Sequence, residues 1–153
     1  MTRFTRGHAL ISLCAALLFF FLVQASRSAE SEMPVGVWLD ASKRIQVQIF
    51  PCEERLCGNI VWFRWPNDAQ GLPLRDLKNR DPARRSRPLL GLTVLWNLSR
   101  VSESAWAGGH LYNPNDGKYY RVQLSNLDKD SLSVRIYVLF PAFGQTQVWT
   151  RIR

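Results

Sequence analysis

Apolar and polar residues alternate along much of the chain with the period of two that is typical of β-strands. Residues 45–49, 120–124 and 132–138 carry an apolar side chain at every second position. Because the side chains of a strand point alternately to its two faces, each of these segments has one apolar face. Less regular apolar runs predict five further strands, over residues 36–40, 59–65, 90–98, 105–112 and 146–152.

Turn-forming residues separate the predicted strands at hairpin distances. Residues 113–117 read Asn-Pro-Asn-Asp-Gly, in which proline presets one dihedral angle and Gly117 accommodates a positive one. Gly108 and Gly109 predict a bulge or sharp bend within the fifth strand. Repeated hairpins with one apolar face favour an all-β antiparallel fold, and eight strands suit a closed barrel. We therefore predict a single eight-stranded barrel, with a β-sandwich as the alternative.

The first 25 residues have the pattern of a cleaved secretory signal peptide. Arg3 and Arg6 precede an uncharged apolar run over residues 9–23, and the small residue Ala25 follows. This run is shorter than the ~20 residues that a membrane-spanning helix needs. We predict a signal peptide over 1–25, a flexible segment over 26–33 and a barrel domain over 34–153. The mature chain is predicted to have no transmembrane span.

Composition and charge limit the remaining possibilities. The chain is 46% apolar and 21% charged, which excludes a disordered tail and a collagen-like repeat. Its formal net charge is +8, and cleavage would remove two arginines and no acid, leaving +6. Such a positive charge is compatible with nucleic acid, but an exported protein rarely meets it, so no nucleic-acid partner is predicted.

Cleavage would leave two cysteines, Cys52 and Cys57, which are separated by four residues. In an exported domain, two cysteines predict one disulfide, here joining the ends of a hairpin. A redox-active pair is disfavoured because the C-x-x-C spacing is absent.

The chemistry-bearing residues do not form a catalytic or metal-binding motif. The predicted mature chain keeps one histidine, His110, and this residue with a paired set of cysteines does not make a zinc site. No G-x-S-x-G motif or glycine-rich phosphate loop is present. We therefore predict no metal, no cofactor and no assigned catalytic residue, and we favour a non-enzymatic role over an enzyme.

Residues 66–89 interrupt the strand pattern with prolines and basic residues. Loops of this length within a small domain are usually functional or mobile. The arginines offer planar donors that match carboxylate and phosphate groups, and Asp76 and Asp81 are expected to pair with Arg85 or Arg87. An enzymatic alternative would use Asp76 or Asp81 as a base. The candidate ligand-binding residues are Asp76, Asn79, Arg84, Arg85 and Arg87.

Short motifs in a characteristic order make the chain resemble the bacterial exported family called domain of unknown function 2147 (DUF2147). The resemblance covers residues 34–153, and it implies a periplasmic or secreted barrel of lipocalin-like type without an established activity. The motifs are Gly36-Val-Trp38, Leu56-Cys-Gly58, Asp76-Leu-Lys-Asn79, Arg85-Ser-Arg-Pro-Leu-Leu-Gly91, Asp116-Gly-Lys-Tyr119 and Trp149-Thr-Arg151.

The Gly-x-Trp motif in the first strand is also similar to lipocalin and avidin-type barrels. In lipocalins a tryptophan at the barrel floor is covered by an arginine from near the end of the barrel. The resemblance thus implies that Trp38 and Arg151 close one end of this barrel by cation–π contact. Six tryptophans in all either fill the core or line an aromatic pocket.

These observations together predict an exported barrel that binds a small hydrophobic or anionic ligand of the bacterial envelope. Its arginine-rich loop is expected to dock on an anionic surface or ligand. The alternatives are a protein–protein interaction module of the envelope and a hydrolase that uses Asp76 or Asp81.

Overall fold

The computed structural model describes residues 33–152, in which eight antiparallel strands close into a barrel. Each strand pairs with its neighbours in the chain, and the last strand pairs with the first. The predicted barrel is therefore confirmed, and the sandwich alternative is wrong. The strands are β1 (Gly36–Leu39), β2 (Ile45–Cys52), β3 (Arg55–Phe63), β4 (Thr93–Arg100), β5 (Ala105–Asn113), β6 (Lys118–Asn126), β7 (Ser131–Tyr137) and β8 (Gln145–Ile152).

All eight predicted strands occur, but some of their ends differ from the prediction. β3 begins at Arg55 instead of residue 59, because Arg55, Leu56 and Cys57 also pair with β2. The prediction missed these residues because Gly58 interrupts the apolar pattern. A Cβ atom at Gly58 would lie 3.0 Å from side-chain atoms of Leu95 and Val47, so glycine lets the strands pack closely there. β4 begins at Thr93 instead of residue 90, after a turn at Gly91, whose φ is +82°.

The predicted bulge in β5 is present. The pairing of β5 with β6 shifts register between Trp106 and Gly109, and Gly108 has a φ of +74°. A Cβ atom at Gly109 would collide with the side chain of Leu98. The glycine pair therefore allows β5 to bend while its inner face stays in contact with β4.

The connections between strands lie at two opposite ends, because consecutive strands run in opposite directions. We call the end with the β1–β2, β3–β4, β5–β6 and β7–β8 connections the open end, and the other the closed end. The predicted signal peptide, residues 1–25, and residues 26–32 of the predicted flexible segment lie outside the described residues. Within 33–152, no helix has the length and apolar character needed to cross a membrane.

Cys52 and Cys57 form a disulfide at the closed end, where β2 turns into β3, with their Cα atoms 5.7 Å apart. The predicted disulfide is therefore confirmed. We expect the double substitution Cys52→Ser/Cys57→Ser to lower the free energy of unfolding by about 2 kcal/mol, because such a short loop restricts the unfolded chain only modestly. Urea denaturation would measure the loss, and reduction of the parent should reproduce it. Equal stability of oxidised parent, reduced parent and variant would contradict this.

Candidate functional site

At the closed end, Trp38 is fully buried beneath Arg151. The guanidinium carbon lies 4.3 Å from the centroid of the Trp38 ring, and the indole Nε1 donates to the carbonyl of Pro34 at 2.8 Å. Arg151 also donates from Nε to the carbonyl of Lys129 at 2.6 Å and from Nη1 to that of Val35 at 2.7 Å. The Arg151 guanidinium thus connects the N-terminal segment and the β6–β7 connection with the Trp38 ring, and its role in closing the barrel stays a prediction.

The interior is filled near the closed end and hollow near the open end. Apolar side chains from every strand pack together near the closed end, and Ile49, Leu124 and Leu132 there are fully buried. Towards the open end, a cavity of about 630 Å³ remains between the strands. Its apolar walls include Val47, Ile60, Leu111, Ile136 and Trp149.

Two aspartates on the rim of this cavity are already engaged by their own turns. The Asp40 carboxylate accepts hydrogen bonds from the backbone N–H groups of Arg44 and Ile45, both at 2.8 Å, and from the hydroxyl of Ser42. Asp116 accepts from the hydroxyl of Tyr120 at 2.6 Å. This hydrogen bond, more than burial, raises the pKa of Tyr120. The two carboxylates therefore stabilise the rim.

Arg44 is the cationic side chain on the wall of the cavity. Its guanidinium carbon lies 5.3 Å from the centroid of the half-exposed Trp65 ring, and that of Arg64 lies 5.1 Å from the same ring. Within residues 33–152, neither guanidinium forms an ion pair with a carboxylate. Arg44 thus supplies the cavity with one guanidinium, which an aromatic ring positions and which pairs with neither of the two rim carboxylates.

The long β3–β4 connection contains a second polar cluster, built around the fully buried Asp76. Its Oδ1 accepts from the hydroxyl of Tyr112 at 2.5 Å. Its Oδ2 accepts from Asn79 Nδ2 at 2.7 Å and from Nε and Nη2 of Arg87 at 2.8 and 2.7 Å. Burial, and then the hydrogen bond with Asp76, raises the pKa of Tyr112 to about 12.

The hydrogen-bonding groups of this buried cluster are paired with one another. Both carboxylate oxygens of Asp76 are occupied by protein donors, so neither is placed to take a proton from a substrate, as a general base must. The Tyr112 hydroxyl belongs to β5, so the cluster fastens the long connection to the barrel wall. A Cβ atom on Gly117 would collide with the carbonyl of Lys78, so this connection also packs against the β5–β6 turn.

The structure brings three of the five predicted ligand-binding residues together, namely Asp76, Asn79 and Arg87. Arg85 lies beside them, with its Nε donating to the carbonyl of Asn79 at 2.9 Å. Arg84 is exposed and pairs with Asp81 at 3.2 Å. The expected pairing of Asp76 with Arg87 is therefore present, whereas Asp81 pairs with Arg84 instead of Arg85 or Arg87. Binding of a ligand by these residues stays a prediction.

Several residues at or near the cavity were not identified from the sequence. Arg44 precedes one predicted strand and Trp65 ends another, and neither matches a motif, so no sequence signal identified their contact. The β7–β8 connection, residues 138–144, did have a sequence signal, because apolar residues continue through it although a hairpin turn is usually polar. Trp38, Trp106 and Trp149 are buried, as core filling requires, and Trp149 also lines the cavity. Within 33–152, no cluster of three or more potential metal ligands occurs.

Comparison with known proteins agrees with the resemblance found in the sequence. The model of a family described as "Uncharacterized protein conserved in bacteria (DUF2147)" matches residues 36–151. Among solved structures, protein HP1028 from Helicobacter pylori, described as belonging to the lipocalin family, has a TM-score of 0.68 and 23% sequence identity. The similarity covers 79% of this chain and 84% of that one, and it shows a shared fold. A comparison with curated proteins finds no match.

Proposed function

Because the chain belongs to the bacterial family DUF2147, for which no activity is established, we propose from the site itself that it is a non-enzymatic binding protein for a small anionic amphiphile. The ligand's apolar part would lie in the cavity and its acidic group at the mouth. The observation that carries this proposal is the guanidinium of Arg44, which pairs with no carboxylate within residues 33–152 and lies on the wall of a cavity that combines apolar and polar side chains.

The size and the walls of the cavity support an apolar ligand chain. Its volume of about 630 Å³ is within the range of roughly 300–1,000 Å³ that is usual for small-molecule sites. Val47, Ile60, Leu111 and Trp149 would give an alkyl chain contacts that exclude water on several sides. Removing apolar surface from water is the main driving force for such binding.

The Arg44 guanidinium supports an acidic headgroup. The rim carboxylates of Asp40 and Asp116 are held by their own turns, whereas Arg44 keeps its donors available. A guanidinium matches a carboxylate or phosphate with two parallel hydrogen bonds, and such charge-assisted bonds are roughly twice as strong as neutral ones.

A chain-matched pair of soluble amphiphiles tests the headgroup. We expect dodecanoate to bind about tenfold or more tightly than dodecyltrimethylammonium, measured by isothermal titration calorimetry below their micelle concentrations. Arg44→Gln should remove most of this difference. Arg64→Gln is the matched control, because Arg64 contacts the same Trp65 ring and is absent from the cavity wall. Equal losses in the two variants, or no dodecanoate binding by the parent, would refute the proposal.

A second pair of variants tests the place of binding. Ile136 lines the cavity and is only partly buried, so Ile136→Trp would fill space that the ligand needs. Ile152→Trp places the same ring at an exposed position near the closed end. We expect the first variant alone to lose dodecanoate binding while both melt cooperatively.

We also propose that the protein works outside the cytoplasm, in the periplasm or as a secreted protein. The Cys52–Cys57 disulfide supports this, because such bonds persist in oxidising compartments. With the predicted signal peptide removed, the mature chain is expected to begin at Ser26. N-terminal sequencing of protein from the cell envelope would measure this, and a chain that still begins at Met1 would contradict it.

A further inference from the structure

The β7–β8 connection presents a cluster of large apolar side chains to solvent. Leu139 is 78% exposed and Phe143 is 86% exposed, and Val138 and Phe140 are exposed as well. We call these four residues the apolar tip. Single exposed apolar residues are common on soluble proteins, but several on one short connection usually mark an interaction surface.

Hydrogen bonds from the Arg135 side chain and close packing against β7 hold the tip in a defined conformation. Arg135 on β7 donates from Nε to the carbonyl of Pro141 at 2.7 Å and from Nη1 to the hydroxyl of Thr146 at 2.6 Å. A Cβ atom at Gly144 would lie 2.7 Å from the carbonyl oxygen of Ile136, so the turn also packs tightly against β7. The apolar side chains are therefore presented by an ordered turn.

The position of the tip connects it with the cavity. Val138 and Phe143 contribute to the cavity wall as well as to the tip. The apolar surface thus continues from the outside of the open end into the barrel.

The charges of the connections differ strongly between the two ends. The open-end connections, over residues 40–44, 64–92, 114–117 and 138–144, contain nine Lys or Arg and five Asp or Glu. The closed-end connections, over residues 53–54, 101–104 and 127–130, contain one Lys and five Asp or Glu. The positive excess therefore lies at the same end of the barrel as the apolar tip, and the connections of the opposite end have an acidic excess.

We propose that the open end docks on the surface of an anionic lipid bilayer, with the apolar tip inserted among the headgroups. Apolar side chains and neighbouring cations are the combination by which peripheral proteins bind such membranes. Arg84, which is exposed, would contribute to the attraction. The positive excess matches an anionic bilayer, and two open ends that face each other would repel. This inference does not depend on the proposed ligand.

Vesicle binding tests the proposal with protein purified after expression of the full chain. We expect co-sedimentation with phosphatidylglycerol/phosphatidylethanolamine vesicles, little with phosphatidylcholine vesicles, and a sharp decrease at about 0.5 M salt, where the Debye length is roughly 4–5 Å. Leu139→Ser/Phe143→Ser should weaken binding about tenfold or more. Val101→Ser/Leu127→Ser removes two exposed apolar side chains at the closed end and should bind like the parent.

Three results would overturn the proposal. The first is equal vesicle binding by the parent and the tip variant, and the second is no binding by the parent at low salt. The third is a parent dimer in analytical ultracentrifugation that the tip substitutions dissociate, because a second copy would then cover the tip. Both variants change exposed side chains only, so unchanged melting temperatures are expected. Dodecanoate binding, measured without vesicles, would show separately whether the cavity proposal holds.

Discussion

We expect Trp38→Ala to lower the free energy of unfolding by about 3–5 kcal/mol, the cost typical of removing a large buried ring. Trp38 is fully buried, so its loss leaves a cavity near the closed end. It also removes the ring beneath the Arg151 guanidinium and the donor to the carbonyl of Pro34. Urea denaturation measures the effect. Trp65→Ala is the matched control, because this ring is 56% exposed and should cost far less.

A double-mutant cycle tests whether Trp38 and Arg151 act together. Arg151→Ala should cost less than Trp38→Ala, because the guanidinium is partly exposed. Residues in contact usually show a coupling energy of roughly 0.5–3 kcal/mol. Strictly additive losses would mean that the contact does not contribute to barrel closure.

Asp76→Ala is expected to have an effect of similar size, about 3–5 kcal/mol, because it removes the fully buried carboxylate of an ion pair and leaves buried donors without an acceptor. Arg87 would lose its carboxylate, and Tyr112 and Asn79 would lose their acceptor. Asp81→Ala is the control within the same connection. Its partner, Arg84, is exposed, and a pair of this kind contributes at most about 1 kcal/mol. Equal losses in the two variants would show that the Asp76 cluster does not fasten the connection.

The ionisation of Tyr112 provides an independent measurement on the same cluster. Its pKa is raised to about 12 by burial and then by the hydrogen bond with Asp76, so Asp76→Asn should lower it. A raised pKa in the folded state stabilises the protein fully below the unfolded value of 10.0, and the stabilisation disappears as the pH rises towards 12. The variant should therefore lose less stability over this interval, which denaturation at several pH values would measure. An unchanged Tyr112 titration would contradict the hydrogen bond.

The architecture was predictable because the signals that encode it are local. Alternation in β2, β6 and β7 marks one buried face, and the turn over residues 113–117 joins two neighbouring strands. Strand ends were less predictable where one residue broke the pattern. The start of β3 was missed because Gly58 interrupts its apolar pattern. A small residue is needed at this position because Leu95 and Val47 approach it from other strands, which the sequence does not indicate.

The candidate site was only partly predictable. The long basic connection stood out in composition, and composition correctly associated Asp76 with Arg87. It did not indicate that Arg87 is engaged inside the protein while Arg44, outside that connection, is available at the cavity. The number of arginines in a segment gives its charge. Ligand binding depends instead on which guanidinium remains unpaired after folding.

The amino-acid sequence by itself determined the eight strands, the antiparallel barrel and the Cys52–Cys57 disulfide, because periodicity, turn residues and cysteine spacing are properties of neighbouring residues. Only the tertiary structure decided that the barrel is filled at one end and hollow at the other, and that Asp76 is buried against Tyr112, 36 positions away. The physical reason is that burial, cavity volume and pairing depend on residues that meet only when the strands close.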